Sequence, residues 1–346
     1  MPNARAPGRV NLIGDHTDYN AGRALPMAVD VGTTATFEPA PIASLQLSSD
    51  AFTEVATIPV DVDPDPRQLG ALEPAWARLA AAVVALARPA TGGSVRISST
   101  LPIGAGLSSS AALAVALACV LGVEGPPIVV ARLCQQAEHL VGAPVGLLDP
   151  LTSAGARAGH ALLVDFATLT TRDVPLTEAV DVVVADSGDH RSLREAGYAA
   201  RVAECEAAAA VVGPLGLAGP DDVVGLRDPL LRRRARHVVT ECARVDAVVA
   251  ALAAGDLAGA GALLVESHRS LADDFEVSTP AVDAAVAALL ACPGVHGARL
   301  TGGGFGGSVV ALAEPGAVGT TVSVGGRPRS VWHLRPAAGC LRPSPP

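Results

Sequence analysis

Apolar residues fall into two alternating textures along the chain: short β-type runs, and Ala/Leu-rich stretches with helical spacing. The pattern predicts strands over Arg9–Ile13, Val95–Ser98, Ala161–Phe166 and Val180–Ala185, the first breaking at Gly14. It predicts helices over Ser110–Leu121, closed by Gly122, and over Val129–Val141 and Tyr198–Val212. Beyond Val212 helices dominate: Leu230–Ala254, Leu257–Leu271 and Ala281–Ala291, the last with Thr279 as N-cap and Pro280 at its first position. A strand, a glycine loop and a strand follow in ARLTGGGFGGSVVAL (298–312). There is no internal repeat and no disordered linker. Mixed strands and helices in both halves imply an α/β or α+β protein in two lobes, divided near residues 165–180.

Composition narrows the chemistry. With 346 residues, half of them hydrophobic, the chain is long enough for about two domains and a sizeable core. A net charge of −9 disfavours a nucleic-acid footprint, which needs a basic face. All 25 Lys+Arg residues are arginine. A Walker A loop, a protein-kinase β3 lysine and a pyridoxal-phosphate Schiff base are therefore excluded. Cys119, Cys134, Cys205, Cys242, Cys292 and Cys340 form no C-x-x-C, and most sit in apolar helical stretches. They read as buried thiols in a reducing compartment. MPNARAPGRV has no apolar signal region, and the longest apolar run, Ala111–Leu121, falls short of the ~20 residues of a membrane span. A soluble cytoplasmic protein, bound to neither membrane nor nucleic acid, is expected.

Four stretches carry candidate chemistry. In PIGAGLSSSAA (102–112) a strand leads through Gly104 and Gly106 into a helix behind Ser108, Ser109 and Ser110. Glycines admit an anion to the backbone, and helix-start amides favour negative charge. One N-cap needs one serine, not three, so a phosphate loop is favoured over a plain cap. RVNLIGDHTDYN (9–20) crowds Asp15, His16, Asp18 and Tyr19 into a turn behind Arg9, which suits several hydroxyls of one polar ligand but equally a solvated turn. In APVGLLDP (143–150), Asp149 before Pro150 reads as an N-cap with proline at N1, and also as a carboxylate poised to accept a hydroxyl proton. TGGGFGGS (301–308) fits a ligand wrap or a simple turn. LRRRARH (231–237) reads as a solvated helix face, DVDPDP (61–66) as a false calcium loop, and His190, His237, His268 and His296 as structural or surface residues.

Taken in order, APGRVNLIGDHTDYNAGRALPMAV (6–29), PIGAGLSSSAALAVA (102–116), VESHRSLADDFEVSTPAVD (265–283) and ARLTGGGFGGSVV (298–310) resemble the GHMP kinases, and within them the galactokinase subfamily. The resemblance implies an α+β fold of two lobes. Residues 1–170 would form an N-terminal lobe like the second domain of ribosomal protein S5, and 171–346 a ferredoxin-like C-terminal lobe, with the site between them. It implies ATP and Mg²⁺, a galactose-like sugar, phosphoryl transfer to the C1 hydroxyl, and a monomer. By position, Arg9 matches the arginine that stabilises charge on the transferred phosphoryl, and Asp149 the aspartate facing that hydroxyl. Asp15, His16, Asp18, Gly146 and Tyr198 match sugar-side residues. Gly104, Ala105, Gly106, Leu107, Ser108, Ser109, Ser110, Ala111, Gly303 and Gly304 match the ATP-binding stretches. Ser110 and Glu138 match the Mg²⁺-associated pair.

The chain departs from the family pattern in several places. Asp15 replaces a glutamate, Pro150 replaces a glutamine, and the span from Glu138 to Asp149 is one residue shorter. The customary leading segment and the helix after Glu314 are missing, which raises the expectation of a misassigned start or of a trimmed or weakened protein. Readings left open are a sister kinase for N-acetylgalactosamine or arabinose, a non-catalytic sugar sensor, and a nonfunctional paralogue. The intact serine loop, Arg9 and Asp149 speak against the sensor. The shorter Asp15 is expected to loosen the grip on the sugar, so Asp15→Glu should lower KM for galactose in steady-state assays of ADP release. An unchanged or higher KM counts against this.

Overall fold

The computed structural model describes residues 2–102, 104–143, 145–189 and 194–341. Ile103 of the glycine loop, Pro144 and His190 lie outside them. The chain begins β1 (Asn3–Asn11), β2 (Arg23–Ala24), β3 (Pro26–Ala40), β4 (Ser44–Ser49), β5 (Phe52–Pro59), α1 (Pro66–Ala71), α2 (Arg78–Ala87) and β6 (Gly92–Ser99). Next come α3 (Ser109–Val120), α4 (Pro127–Leu140), α5 (Leu148–Gly155), β7 (His160–Asp165), β8 (Thr170–Pro175) and β9 (Asp181–Asp186). It continues through α6 (Arg194–Val212), α7 (Pro220–Gly225), α8 (Pro229–Ala254), α9 (Leu257–Asp273), α10 (Pro280–Leu290), β10 (Val295–Thr301), β11 (Ser308–Ala313), β12 (Thr321–Val324) and β13 (Arg327–Leu334).

The strands make a sheet β1-β3-β6-β4-β5 from the first third of the chain and a sheet β10-β11-β9-β13-β12 from the rest. A small sheet β2-β7-β8 completes them. Among the described residues only the β4–β6 pair is parallel; it is joined through β5 and the helices α1 and α2. Helix α3 is apolar on every side, as a helix running through a core must be. Its alanines let it lie close on β1 and β3. The long amphipathic α8 is fixed by Asp228, which accepts from the Leu230 and Leu231 amides, by Pro229 at N1, and by left-handed Gly255 at its end. One buried apolar cluster combines Val10, Leu12 and Met27 with Val184, Val248, Leu264 and Val310, so the two large sheets share a core. Among the described residues no helix is long and apolar enough to cross a membrane.

The elements expected from the sequence are present with the expected type, and most of their boundaries shift by only a few residues. The larger corrections have physical causes. Strands β2 to β5, β8, β12 and β13 and helices α1, α2 and α7 were not foreseen. β3 is buried on both faces near its start and alternates only later, which blurs its periodicity. Asp149 is not an N-cap: Leu147 occupies that place, and Asp149 and Pro150 lie inside the first turn of α5, where proline lacks only an amide that has no helical partner anyway. The run 231–237 is not a solvated face. Arg234 is buried and donates to Glu204 (2.6 Å), Glu276 (2.7 Å) and the Asp274 carbonyl (2.5 Å), and His237 is buried too. Asp65 of DVDPDP caps α1 through the Arg67 amide, which accounts for that motif. After Glu314 the chain forms the hairpin β12–β13 through Gly325 and Gly326, both at positive φ (57° and 78°) as a tight turn requires. The cysteines at 119, 134, 205, 242, 292 and 340 are all free thiols.

Helix α9 lies against β10 through a glycine pair. A Cβ on Gly261 would stand 2.1 Å from the His296 carbonyl oxygen, and one on Gly297 the same distance from the Gly261 oxygen. Backbone on both sides cannot yield as a side-chain tip does. Gly261→Ala is therefore expected to destabilise the protein by about 1–3 kcal/mol, seen as a lower urea midpoint. An unchanged midpoint contradicts the close packing.

Candidate active site

The end of β1, the glycine loop and the start of α5 converge on one carboxylate. Arg9 forks onto Asp149, Nε to Oδ1 at 2.5 Å and Nη2 to Oδ2 at 2.6 Å. Its remaining nitrogen donates to the Gly106 carbonyl at 2.9 Å, and its backbone amide to the Leu107 carbonyl at 3.1 Å. Ser108 Oγ donates to Asp149 Oδ2 at 2.5 Å. Residues some 100 and 140 positions apart thus share one cluster, built by a planar guanidinium whose fork matches a carboxylate. Burial alone would lower the Arg9 pKa, but the charge and hydrogen bonds of Asp149 hold it above its ordinary value. The guanidinium stays charged.

Beside this cluster lies a cavity of about 300 Å³. It is lined by both members of the pair, by Asp15, His16, Asp18, Gly146 and Tyr198, and by Gly303 and Gly304. All the residues expected on the sugar side therefore meet at one place. His16, at φ 64°, is buried; its Nδ1 shares a 2.9 Å hydrogen bond with the Tyr19 hydroxyl, and its Nε2 has no hydrogen-bond partner. Burial, then nearby His237, Arg201 and Arg299, push its pKa down to about 3, so the ring is neutral and Nε2 remains to meet a hydroxyl. Burial raises the Asp18 pKa to about 7, and the negative charge of Asp149 adds to it. Gly146 has no room for a side chain: a Cβ there would lie 1.5 Å from Asp18 Oδ2.

Behind the pocket is a buried ionic layer that sequence reasoning missed. Arg299 of β10 meets Asp15 Oδ2 at 2.5 Å and lies 3.7 Å from Glu241 of α8, while donating to the Leu12 carbonyl at 3.1 Å. Asp15 Oδ1 accepts the Gly302 amide at 3.0 Å. Glu241 Oε1 accepts from the Gly14 amide (3.0 Å) and Ser267 (2.6 Å). Despite its burial, Arg299 and then His237 and Arg244 draw the Glu241 pKa down to about 2. His237 itself is held near 4 by burial and is a structural residue, bonded to Ser270 and to the Asp15 carbonyl. Asn11 was also missed. It is 1% exposed and lines the cavity, and neither end of its amide has a partner. The signal existed: Asn11 stands two residues after Arg9 on the same strand, and hence on the same face. An arginine inside the apolar run of β10 was a second signal; Glu241 gave none.

The side expected to face a nucleotide is more open. Ser109 and Ser110 are exposed at the head of α3, and Ser108 sits in the left-handed region at φ 56°. Ala105, Leu107 and Ala111 are core side chains, so only their backbones can meet a ligand. Ser308 Oγ donates to the Ala105 carbonyl at 2.9 Å and ties the second glycine segment to the first. Glu138 interacts with Ser110, and one of its carboxylate oxygens is buried without a partner. Burial raises its pKa to about 7. A buried, unpartnered carboxylate oxygen beside a hydroxyl fits one side of a Mg²⁺ site whose other ligands come from a bound phosphate. Among the described residues no group of three or more His, Cys, Asp or Glu side chains forms a closed metal cage.

Comparison with known proteins places this geometry. The chain matches the galactokinase galactose-binding signature over residues 3–39, the N-terminal domain of GHMP kinases over 75–155 and their C-terminal domain over 248–322. Its fold superposes on Methanococcus jannaschii mevalonate kinase with a TM-score of 0.67, covering 96% of this chain and 97% of that one, at 18% identity. The fold and the matched domains define a GHMP kinase. The match is stronger to one branch: 41% identity to human galactokinase, over 90% of this chain and 83% of that one, and 39% to the Streptomyces coelicolor galactokinase, over 97% and 93%. Lactococcus lactis galactokinase, solved in complex with galactose, superposes with a TM-score of 0.87 at 28% identity, covering 98% of this chain and 94% of that one. This chain belongs to the galactokinase family.

The Asp18 carboxyl generates a prediction about stability. Its pKa is raised on folding, so the folded protein holds this proton more tightly than the unfolded chain does. The contribution is complete below the ordinary carboxylate pKa and is lost as pH rises through about 7. Asp18→Asn cannot ionise. Its Tm should exceed that of the parent protein by a margin that grows between about pH 5 and 7 and then levels off. A margin independent of pH would contradict the raised pKa.

Proposed function

We propose that the protein transfers the γ-phosphoryl group of ATP to the C1 hydroxyl of galactose. The observation that carries this reading is the Arg9–Asp149–Ser108 cluster, which sits between a small polar cavity and the glycine–serine loop. Asp149 accepts the proton of the attacking hydroxyl or orients that hydroxyl. Arg9 holds the carboxylate by its fork and presents positive charge where the phosphoryl passes. Asp15, His16, Asp18 and Tyr198, with the backbone at Gly146, engage the remaining hydroxyls, and Asn11 joins them because its amide has no other partner. The backbone of residues 104–111, the serine hydroxyls and Gly303–Gly304 face the nucleotide.

Phosphoryl transfer asks a protein for positioning and charge neutralisation rather than covalent chemistry, which suits a site without lysine. Ser110 and Glu138 would hold Mg²⁺, which would neutralise charge on the phosphate oxygens. The reading includes lobes divided near residue 170, a monomer and a cytoplasmic location.

The test is ADP release with galactose, N-acetylgalactosamine, glucose, arabinose and mevalonate. Galactose should be the preferred substrate. Asp149→Asn should lose on the order of 10²–10⁴-fold in kcat with KM for ATP little changed. Turnover on mevalonate but on no sugar overturns the assignment, and ATP hydrolysis without a sugar phosphate points to a sensor.

A further inference from the structure

We propose that Cys119 and Cys340 are a modification site, closing into a reversible disulfide that staples the C-terminal strap of the chain to helix α3. After β13 the chain leaves the second large sheet and runs back along the first. There the Ala337 amide donates to the Ala28 carbonyl (2.9 Å), Gly339 to Ala156 (2.8 Å), Cys340 to Ser153 (2.9 Å) and Leu341 to Ala154 (3.0 Å). The strap lies so close that a Cβ on Gly339 would stand 2.6 Å from the Ala154 oxygen. The backbone of Cys340 is thereby fixed rather than trailing free. Cys119 is fixed too, in the last turn of α3.

The two half-buried thiols pack against the same core cluster and line one cavity of about 610 Å³, together with Arg5 and Asp30. A small oxidant can therefore reach them. Each acts on the other first of all: the Cys119 thiol is pushed up and the Cys340 thiol drawn down from the ordinary range by their mutual interaction. Cys134 lies nearby but is fully buried. Among the described residues no cluster suited to a metal ion competes for these sulfurs.

With a hydroperoxide as oxidant the step balances. The Cys340 thiolate attacks one oxygen of hydrogen peroxide; the O–O bond breaks, hydroxide leaves, and Cys340 becomes a sulfenic acid. The Cys119 sulfur then attacks the Cys340 sulfur; the S–O bond breaks, and the departing hydroxide takes the Cys119 proton as water. The two thiols lose two electrons, and the peroxide ends as two waters. The link joins the far end of α3, whose start follows Ser108, to the strap that is hydrogen-bonded to the far end of α5, the helix that carries Asp149 in its first turn. It also closes a loop of more than 200 residues, so it stabilises mainly by restricting the unfolded chain.

The full-length protein is treated with hydrogen peroxide, free thiols are alkylated, and peptides are mapped by mass spectrometry without reduction. A Cys119–Cys340 cross-linked peptide is expected, with a rise in Tm that dithiothreitol reverses. Cys340→Ser and Cys119→Ala should each abolish both effects, and Cys134→Ser neither. A cross-link through Cys134, sulfinic acid without a cross-link, or a Cys119–Cys340 link that leaves Tm unchanged each overturns the proposal.

Discussion

The fork of Arg9 on Asp149 is the constraint around which the site is arranged. Two charges have been taken largely out of water, which is costly unless each is fully paired. The pairing is nearly complete: both carboxylate oxygens are occupied, and the third guanidinium nitrogen reaches a carbonyl of the glycine loop. Lysine could not do this, because a single ammonium makes no fork. The same bonds therefore set the position of the loop relative to the carboxylate and hold a permanent positive charge there.

A second ionic layer joins the two halves of the protein. Arg299 comes from a strand of the second large sheet, Glu241 from α8, and Asp15 from the turn after β1. Thr301 adds a bond to the Asn11 carbonyl, and Gly14 one to Glu241. The turn carrying Asp15, His16 and Asp18 is thus held from the far half of the chain. Asp15 meets the cavity with its carboxylate already gripped by Arg299 and the Gly302 amide, so its orientation is set before any ligand arrives.

The cavity and the cluster beside it concentrate features that weaken a fold. His16 and Ser108 sit at positive φ, a conformation that costs a non-glycine residue about 1 kcal/mol or more. The Asn11 amide and His16 Nε2 are buried without partners, and Asp18 is desolvated beside a like charge. Each is a liability in the free protein. Each also becomes an asset when several hydroxyls arrive together, since a polyol supplies donors and acceptors to unpaired groups that water reaches poorly.

Much of the site was legible in the sequence because its chemistry is local. Arg9, Asp15, His16 and Asp18 stand within one motif, and glycines before serines reveal a phosphate loop wherever they occur. The helices of the second half were readable because caps such as Thr279–Pro280 and Asp228–Pro229 act within a single turn. What the sequence could not show depends on partners far away in the chain. Four arginines in LRRRARH look like a solvated face until Glu204 and Glu276 arrive to bury Arg234. Asp149 reads as a cap until the fold places it at the second helical position, aimed at Arg9. Arg299 stands out in an apolar strand, but nothing local names Asp15 as its partner, and Glu241 carries no sign at all. Local backbone preferences and motif chemistry were decided by neighbours a few residues apart. The pairing of buried charges was decided by tertiary structure, because only packing determines which charges lose their water together.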